Sequence, residues 1–373
     1  LLIDTHTTNG SRHQYHLTYD VPHNPAGPQA IRDFMRKEMM PVVTRKLDDK
    51  KIPTFFYGNY NRDQTQWRTY GDLPRYGVEY VGLRGRMAIL SEAHKYVPYR
   101  ERIIASREFV RECLTYCSER KDDIRKLLSA ERATAVSRGK RPEVGDQVSI
   151  QSEIAAFEGK VTIKGLKFSK DDDGKTIEKK QNYEVEYWGK YIPTHEVQRP
   201  FAYLLPATES RVADRLLMHG VELFQLTADA SLPIEFYEIQ KVDRSSRTYQ
   251  QHRLVKAEAT KSAGQRTVAS GTYVIPTGQA LGNLIVYLLE PQSDDGLVTW
   301  NFFDPGLAPG QEFPALRLPA AAKLRRRRVR RVQPAMLLNL DQIYGPEGRV
   351  SFSGSPSSAS WLPESQKYLK RSG

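Results

Sequence analysis

His6 and Glu92 are the two residues whose positions could let them do chemistry together. His6 lies two residues beyond Leu1–Asp4 (LLID) and Glu92 two residues beyond Met87–Leu90 (MAIL), and each apolar run reads as a short buried strand. If both strands belong to one mostly parallel sheet, the two side chains emerge together at its carboxyl edge, where open α/β sheets hold their sites. An imidazole there can bind zinc, and a carboxylate can take a proton from metal-bound water. Singly, each has a plainer account: a hydrogen-bonded surface histidine, and an acid near the start of a helix. His13 and His16 have H-x-x-H spacing that could capture a metal, but structural zinc wants four well-placed ligands. They are expected instead as loop or pocket residues on the substrate side.

Several elements must position these groups. From Gln29 to Leu47 the residues Ile31, Phe34, Met35, Met39, Val42, Val43 and Leu47 follow the helical period, which predicts an amphipathic crossover helix kinked at Pro41. An aromatic, glycine-punctuated stretch, TFFYGNYNRDQTQWRTYGDLPRYGVEY, suits long loops over a rigid sheet. After Pro98, the positions Ile103, Val110, Cys113, Leu114, Cys117, Ile124, Leu127 and Leu128 mark a long helix that ends before GKRPEVG at Gly139–Gly145. Beyond that linker the texture becomes alternating strands: KVTIKGLKF, NYEVEYWGKY, IEFYEIQKV, HRLVKAEAT and GTYVIP. Helical segments at Glu209–His219, stopped by Gly220, and at Gln279–Leu289 interrupt them. The predicted fold class is α/β, a partial mixed sheet flanked by helices over residues 1–138, followed by a β-rich α+β domain over 143–319. A basic linker is expected at 320–333, and 334–373 is too short and too rich in Gly, Ser and Pro to fold alone.

The 373 residues carry a net charge of +12, and the run KLRRRRVRR at Lys323–Arg331 holds much of it. Basicity is thus a property of one segment. Without aromatic interleaving or a reading module, that run reads as a solvated linker, and nucleic acid is not the expected partner. No apolar run is long enough to span a membrane as a helix. Cys113 and Cys117, the only two cysteines, sit one helical turn apart and are expected as reduced thiols. Clustered aromatics at Tyr187, Trp188 and Tyr191 allow a second reading, a non-catalytic module docking a peptidase to a polymer or partner.

The stretches DTHTTNGSRHQYHLTY (Asp4–Tyr19) and GLRGRMAILSEAHKYVPYRERI (Gly82–Ile103) resemble the second half of the catalytic domain of M14 zinc carboxypeptidases. They are closest to a bacterial subgroup with a long C-terminal extension, which the strand-rich region through LLEPQSDDGLVTWNFFD also resembles. The resemblance implies a carboxypeptidase-like sheet, peptide substrates and a secreted or periplasmic location. It implies zinc as cofactor, with His6 as a metal ligand, Glu92 as the general base, and Tyr70 or Tyr76 as a mobile tyrosine over the substrate. The family's other ligands, in a His-x-x-Glu motif, and its carboxylate-binding arginine precede the third ligand and have no counterpart in this sequence. The implied activity, removal of C-terminal residues from peptides, is therefore not expected of this chain alone. The tail NLDQIYGPEGRVSFSGSPSSASWLPESQKYL resembles the opening of the β-propeller of dipeptidyl-peptidase-IV-like serine peptidases, yet no Gly-x-Ser-x-Gly elbow occurs. Two partial likenesses imply a join of two incomplete coding regions.

Overall fold

A computed structural model describes residues 1–329. In chain order it begins with β1 (Leu2–Thr8), β2 (Leu17–Asp20), α1 (Gln29–Asp33), α2 (Met40–Asp49), β3 (Thr54–Phe56), β4 (Asn59–Tyr60), β5 (Gln66–Arg68), α3 (Gly77–Leu83), β6 (Ala88–His94), α4 (Tyr99–Glu119) and α5 (Lys121–Lys140). It continues with β7 (Gln147–Lys170), β8 (Thr176–Gln198), β9 (Ala202–Leu205), α6 (Ser210–Met218), β10 (Phe224–Leu226), β11 (Ala230–Arg244), β12 (Val255–Val268), β13 (Tyr273–Pro276), α7 (Gly282–Leu289), β14 (Leu316–Leu318) and β15 (Arg326–Arg328). The result is a mixed α/β structure with three sheets.

The first sheet has the order β1-β6-β2-β3. Strands β1 and β6 are parallel, β2 runs antiparallel to β6, and β3 is parallel to β2, so the sheet is mixed rather than mostly parallel. One face is apolar: Leu17, Tyr19 and Ile89 pack against Met35, Met39, Phe109 and Cys113 from the helices. Helix α4 turns Ala105, Phe109, Cys113 and Tyr116 to that core at helical spacing. The predicted kink lies just before Pro41, as a π-helical turn over Phe34–Met39 in which the Met40 N–H bonds Met35 O. Pro41 has no N–H to continue the α-helical ladder, and the wider turn accommodates that.

The second sheet, β4-β5-β8-β7, joins the two halves of the sequence, because β5 pairs in parallel with β8. Residues 1–138 and 143–319 therefore share hydrogen-bonded structure, and Leu1–Val329 clusters as one unit. The third sheet, β12-β11-β14-β9-β13-β10-β15, shares a core with α7, whose apolar residues are nearly all buried and which packs on β7 and α5. Gly220, at φ 82°, closes α6 in the left-handed conformation expected of a C′ glycine. The linker expected from residue 320 is different: Arg326–Arg328 pairs with β10, Arg328 meets Glu222 at 2.8 Å, and Arg326 lies over Phe224. Paired backbone and guanidinium contacts hold it as an edge strand. The propeller-like segment 334–373 lies outside the described residues.

Candidate functional site

Strands β1 and β6 pair in register, so that His6 stands beside Glu92 and Asp4 beside Leu90. On the other flank of β6, Thr18 pairs with Glu92 and Asp20 with Leu90. Side chains alternate faces along a strand, and registered neighbours share a face. Asp4, His6, Glu92, Thr18 and Asp20 therefore occupy the face opposite the apolar core. Both strands run further than their apolar residues predict. His6 and Glu92 lie within β1 and β6, not beyond them, because DTHTT and SEAH continue the extended pairing after the apolar residues stop.

Local geometry gives the row its chemical character. His6 Nε2 lies 3.0 Å from Asp4 Oδ1, with both side chains substantially open to solvent. Glu92 is half-buried. Burial raises its pKa, the charge of His6 opposes that rise and Asp4 adds to it. Glu92 Oε2 is enclosed and has no hydrogen-bond partner, and neither does the hydroxyl of Thr18, which is 1 % exposed. Helix α3 packs against β1 and β6, and a side chain at Gly77 would begin 3.6 Å from Asp4 Oδ2. Asp4 and Thr18 were absent from the sequence reading. Their signal was the period-two alternation of Asp4, His6 and Thr8, and of Thr18 and Asp20, which polar composition disguised as loop.

The other candidates separate. Tyr70 is not poised over the row: its hydroxyl donates to Glu79 Oε1 at 2.8 Å, and its ring packs on His23 and Tyr76. Burial first, then the Glu79 charge, holds its phenol well above the usual range. Tyr76 is 40 % exposed, packs edge-on against Tyr70 and precedes α3 directly, beside the Gly77–Asp4 approach. His13 is closed off from solvent. It stacks on His94 at 3.9 Å and accepts the Tyr15 N–H at Nδ1, because its segment bridges to Gly165 of β7. Burial and the His94 charge push His13 down to about 3, and burial and Arg12 push His94 down to about 4. His16 turns the other way, 4.0 Å from Glu101, so the H-x-x-H pair is split. Among the described residues no group of three or more His, Cys, Asp or Glu is arranged to hold a metal.

A second buried network went unread in the sequence. Glu79 accepts the backbone N–H groups of His23 and Asn24, both at 3.0 Å, and Thr69 donates to Asp20 at 2.5 Å. His23 stacks on Tyr191, whose hydroxyl bonds Tyr70 O at 3.0 Å. The exposed aromatic platform expected at Tyr187, Trp188 and Tyr191 is thereby absent. Tyr187 is in a core, Tyr191 closes this network, and Trp188 packs under Arg68 while donating to Glu186. Cys113 and Cys117 are free thiols, raised by burial. No helix of the described residues is long and apolar enough to cross a membrane. Comparison with protein-family models, curated proteins and solved structures found no match.

Proposed function

We propose that the face carrying His6 and Glu92 is one side of a hydrolytic site of the M14 carboxypeptidase kind, acting on the C-terminal end of peptides. The observation that carries this reading is the registered pairing of His6 with Glu92 on adjacent parallel strands, with one Glu92 oxygen enclosed and unbonded. A carboxylate with raised proton affinity and a free oxygen suits general-base work, because its pKa moves toward the operating pH. In this reading Glu92 takes a proton from the attacking water and returns it to the amine that leaves when the C–N bond breaks. Asp4 fixes the imidazole of His6, and Thr18 offers a hydroxyl to orient Glu92.

Zinc fits this donor set only in part. His6 offers one nitrogen, and the described residues bring no second and third ligand to it. A lone imidazole cannot hold zinc with the affinity of several ligands together. The residues in hand are not a self-sufficient zinc centre, and no step is assigned to a metal.

The test assays the protein for release of C-terminal residues from peptides, with and without added zinc. Glu92→Gln should lower kcat by about a hundredfold to ten-thousandfold with little change in KM. His6→Ala should also abolish any metal retained after dialysis. A fully active Glu92→Gln protein would reject the assignment, and zinc retained undiminished by His6→Ala would show that the ligands lie elsewhere.

A further inference from the structure

A cleft of about 600 Å³ lies among the β7–β8 pair, the β11–β12 hairpin and the turn after α7. Its wall includes Ser293 and Asp294 of the SDDG turn, a motif that the hydrolytic reading leaves unused. Ser293 is 4 % exposed, lines the cleft, and its Oγ has no hydrogen-bond partner. A buried hydroxyl without a partner is destabilising, and a ligand donor or acceptor would offset that. Asp294 is fixed beside it, since its N–H donates to Ile150 O at 3.1 Å and its Oδ1 accepts the Tyr287 hydroxyl.

The charges around the turn do not cancel. Asp295 is matched by Arg75, which reaches it through the backbone N–H at 2.7 Å and the guanidinium at 2.6 and 3.0 Å. Asp72, 2 % exposed, receives the Ser152 hydroxyl, and Asp294 receives the Tyr287 hydroxyl and the Ser152 backbone N–H. At the mouth, Arg244 is engaged by Asp304 at 2.9 Å and Asp243 by Lys241 at 2.6 Å, while Lys256 stands exposed on the rim. Among the described residues, neither of these two enclosed carboxylates has an ion-pair partner. Burial, together with neighbouring carboxylates, raises Asp72 to about 7 and Asp294 to about 6. Of the two, Asp294 lines the cleft, and beside Ser293 Oγ it is complemented by a group that is all donor and no acceptor; an ammonium has three N–H donors and no acceptor.

We propose that this cleft binds a primary ammonium group of the kind a lysine side chain carries, with Asp294 facing the charge and Ser293 Oγ accepting one N–H. The site shares no residue with the His6–Glu92 row and stands or falls apart from it.

Calorimetry on the full chain tests the proposal with Nα-acetyl-lysine methylamide, and with the norleucine analogue that lacks the ammonium. The lysine amide should bind at pH 7 and the norleucine amide about tenfold or more weakly. Asp294→Asn should weaken lysine-amide binding by about tenfold or more, and Ser293→Ala by about fivefold. Titrations at pH 6 in buffers of different ionisation enthalpy should show proton release, as a bound cation favours ionised Asp294. Lys256→Gln should bind at least as tightly as the parent, because it removes the one rim cation that could swing inward. Equal binding of the two amides, unchanged binding by Asp294→Asn, or no binding by either the parent or Lys256→Gln would overturn the proposal. If thermal melting shows that Asp294→Asn does not fold, Ser293→Ala and the proton release decide.

Discussion

Glu79 offers a quantitative test of how the buried network beside the candidate site is held. Its carboxylate is fully enclosed and accepts three hydrogen bonds, from His23 N, Asn24 N and the Tyr70 hydroxyl. Burial pushes it up from 4.5 to about 8, although those donors pull it down. The folded chain therefore keeps a proton that the unfolded chain gives up between these values. Stability should fall as pH rises through that window, by about 1.4 kcal/mol per pH unit and about 5 kcal/mol across it. Glu79→Gln keeps an acceptor for the two backbone N–H groups but cannot ionise. Its stability relative to the parent should be near zero at pH 5 and increasingly favourable toward pH 8. Glu79→Leu leaves all three donors unpaired and should cost about 3–6 kcal/mol at pH 5, where the parent is protonated. Urea unfolding at pH 5, 6, 7 and 8 measures both, and the parent-minus-Gln difference cancels every other titrating group. Parallel pH dependences for the parent and Glu79→Gln would refute the reasoning, because they would mean that Glu79 is ionised in both states throughout.

Acid should destabilise the chain for a separate reason. Burial holds His13 and His23 down to about 3, so the stability present above their unfolded value of 6.5 is lost as pH falls below it, by about 1.4 kcal/mol per pH unit for each. Urea midpoints of Glu79→Gln unchanged from pH 7 to pH 5 would contradict this. Arg317 is buried and contacts Glu235 at 2.9 Å, together with Glu290 and Gln198 O, so Arg317→Met should cost about 3–5 kcal/mol by leaving Glu290 without its cation. Denaturant unfolding within about 1 kcal/mol of the parent would show that the network relaxes instead. Gly82→Ala would place a Cβ 2.3 Å from Pro22 Cβ and should lower stability by about 1–3 kcal/mol. Gly306→Ala, which meets nothing within 4 Å, should stay within about 0.5 kcal/mol in the same melts.

The alternation of strands and amphipathic helices was legible because apolar side chains obey the periods of the elements that bury them. Ile31, Phe34, Met35, Met39, Val43 and Leu47 sit at helical spacing and all enter one core. The union of the two halves through one sheet was not legible. Strand β5 is Gln66–Arg68, in which only Trp67 is buried, and three residues of mixed polarity carry too little periodicity to announce a pairing with Glu186–Trp188 more than a hundred positions away. The basic run misled for the opposite reason. Charge predicts solvation of side chains, whereas Arg326–Arg328 is held through its backbone, which pairs with β10 whatever the side chains are.

At the candidate site, the sequence reading found one histidine and one glutamate and missed what lies around them, because polar residues on a strand look like the strand's end. The face opposite the helices pairs Thr18 with Glu92 and Glu92 with His6, then Thr8 with His94 one pleat further on. That face carries enclosed atoms without a hydrogen-bond partner at Thr18 Oγ1, Glu92 Oε2 and both ring nitrogens of His94, and the other face carries two more at Ser91 Oγ and Thr54 Oγ1. Each such atom costs stability that an apolar substitute of the same shape would restore. A fold selected for stability alone would place valine and leucine there, as it does at Leu17 and Ile89 on the other face. The polar groups cannot be explained by packing, since Ala88 and Leu90 on the same strand face show that apolar residues are accommodated between them. What the row offers is a set of hydrogen-bonding atoms held at fixed strand spacing, and that spacing is what the proposed hydrolytic site would use.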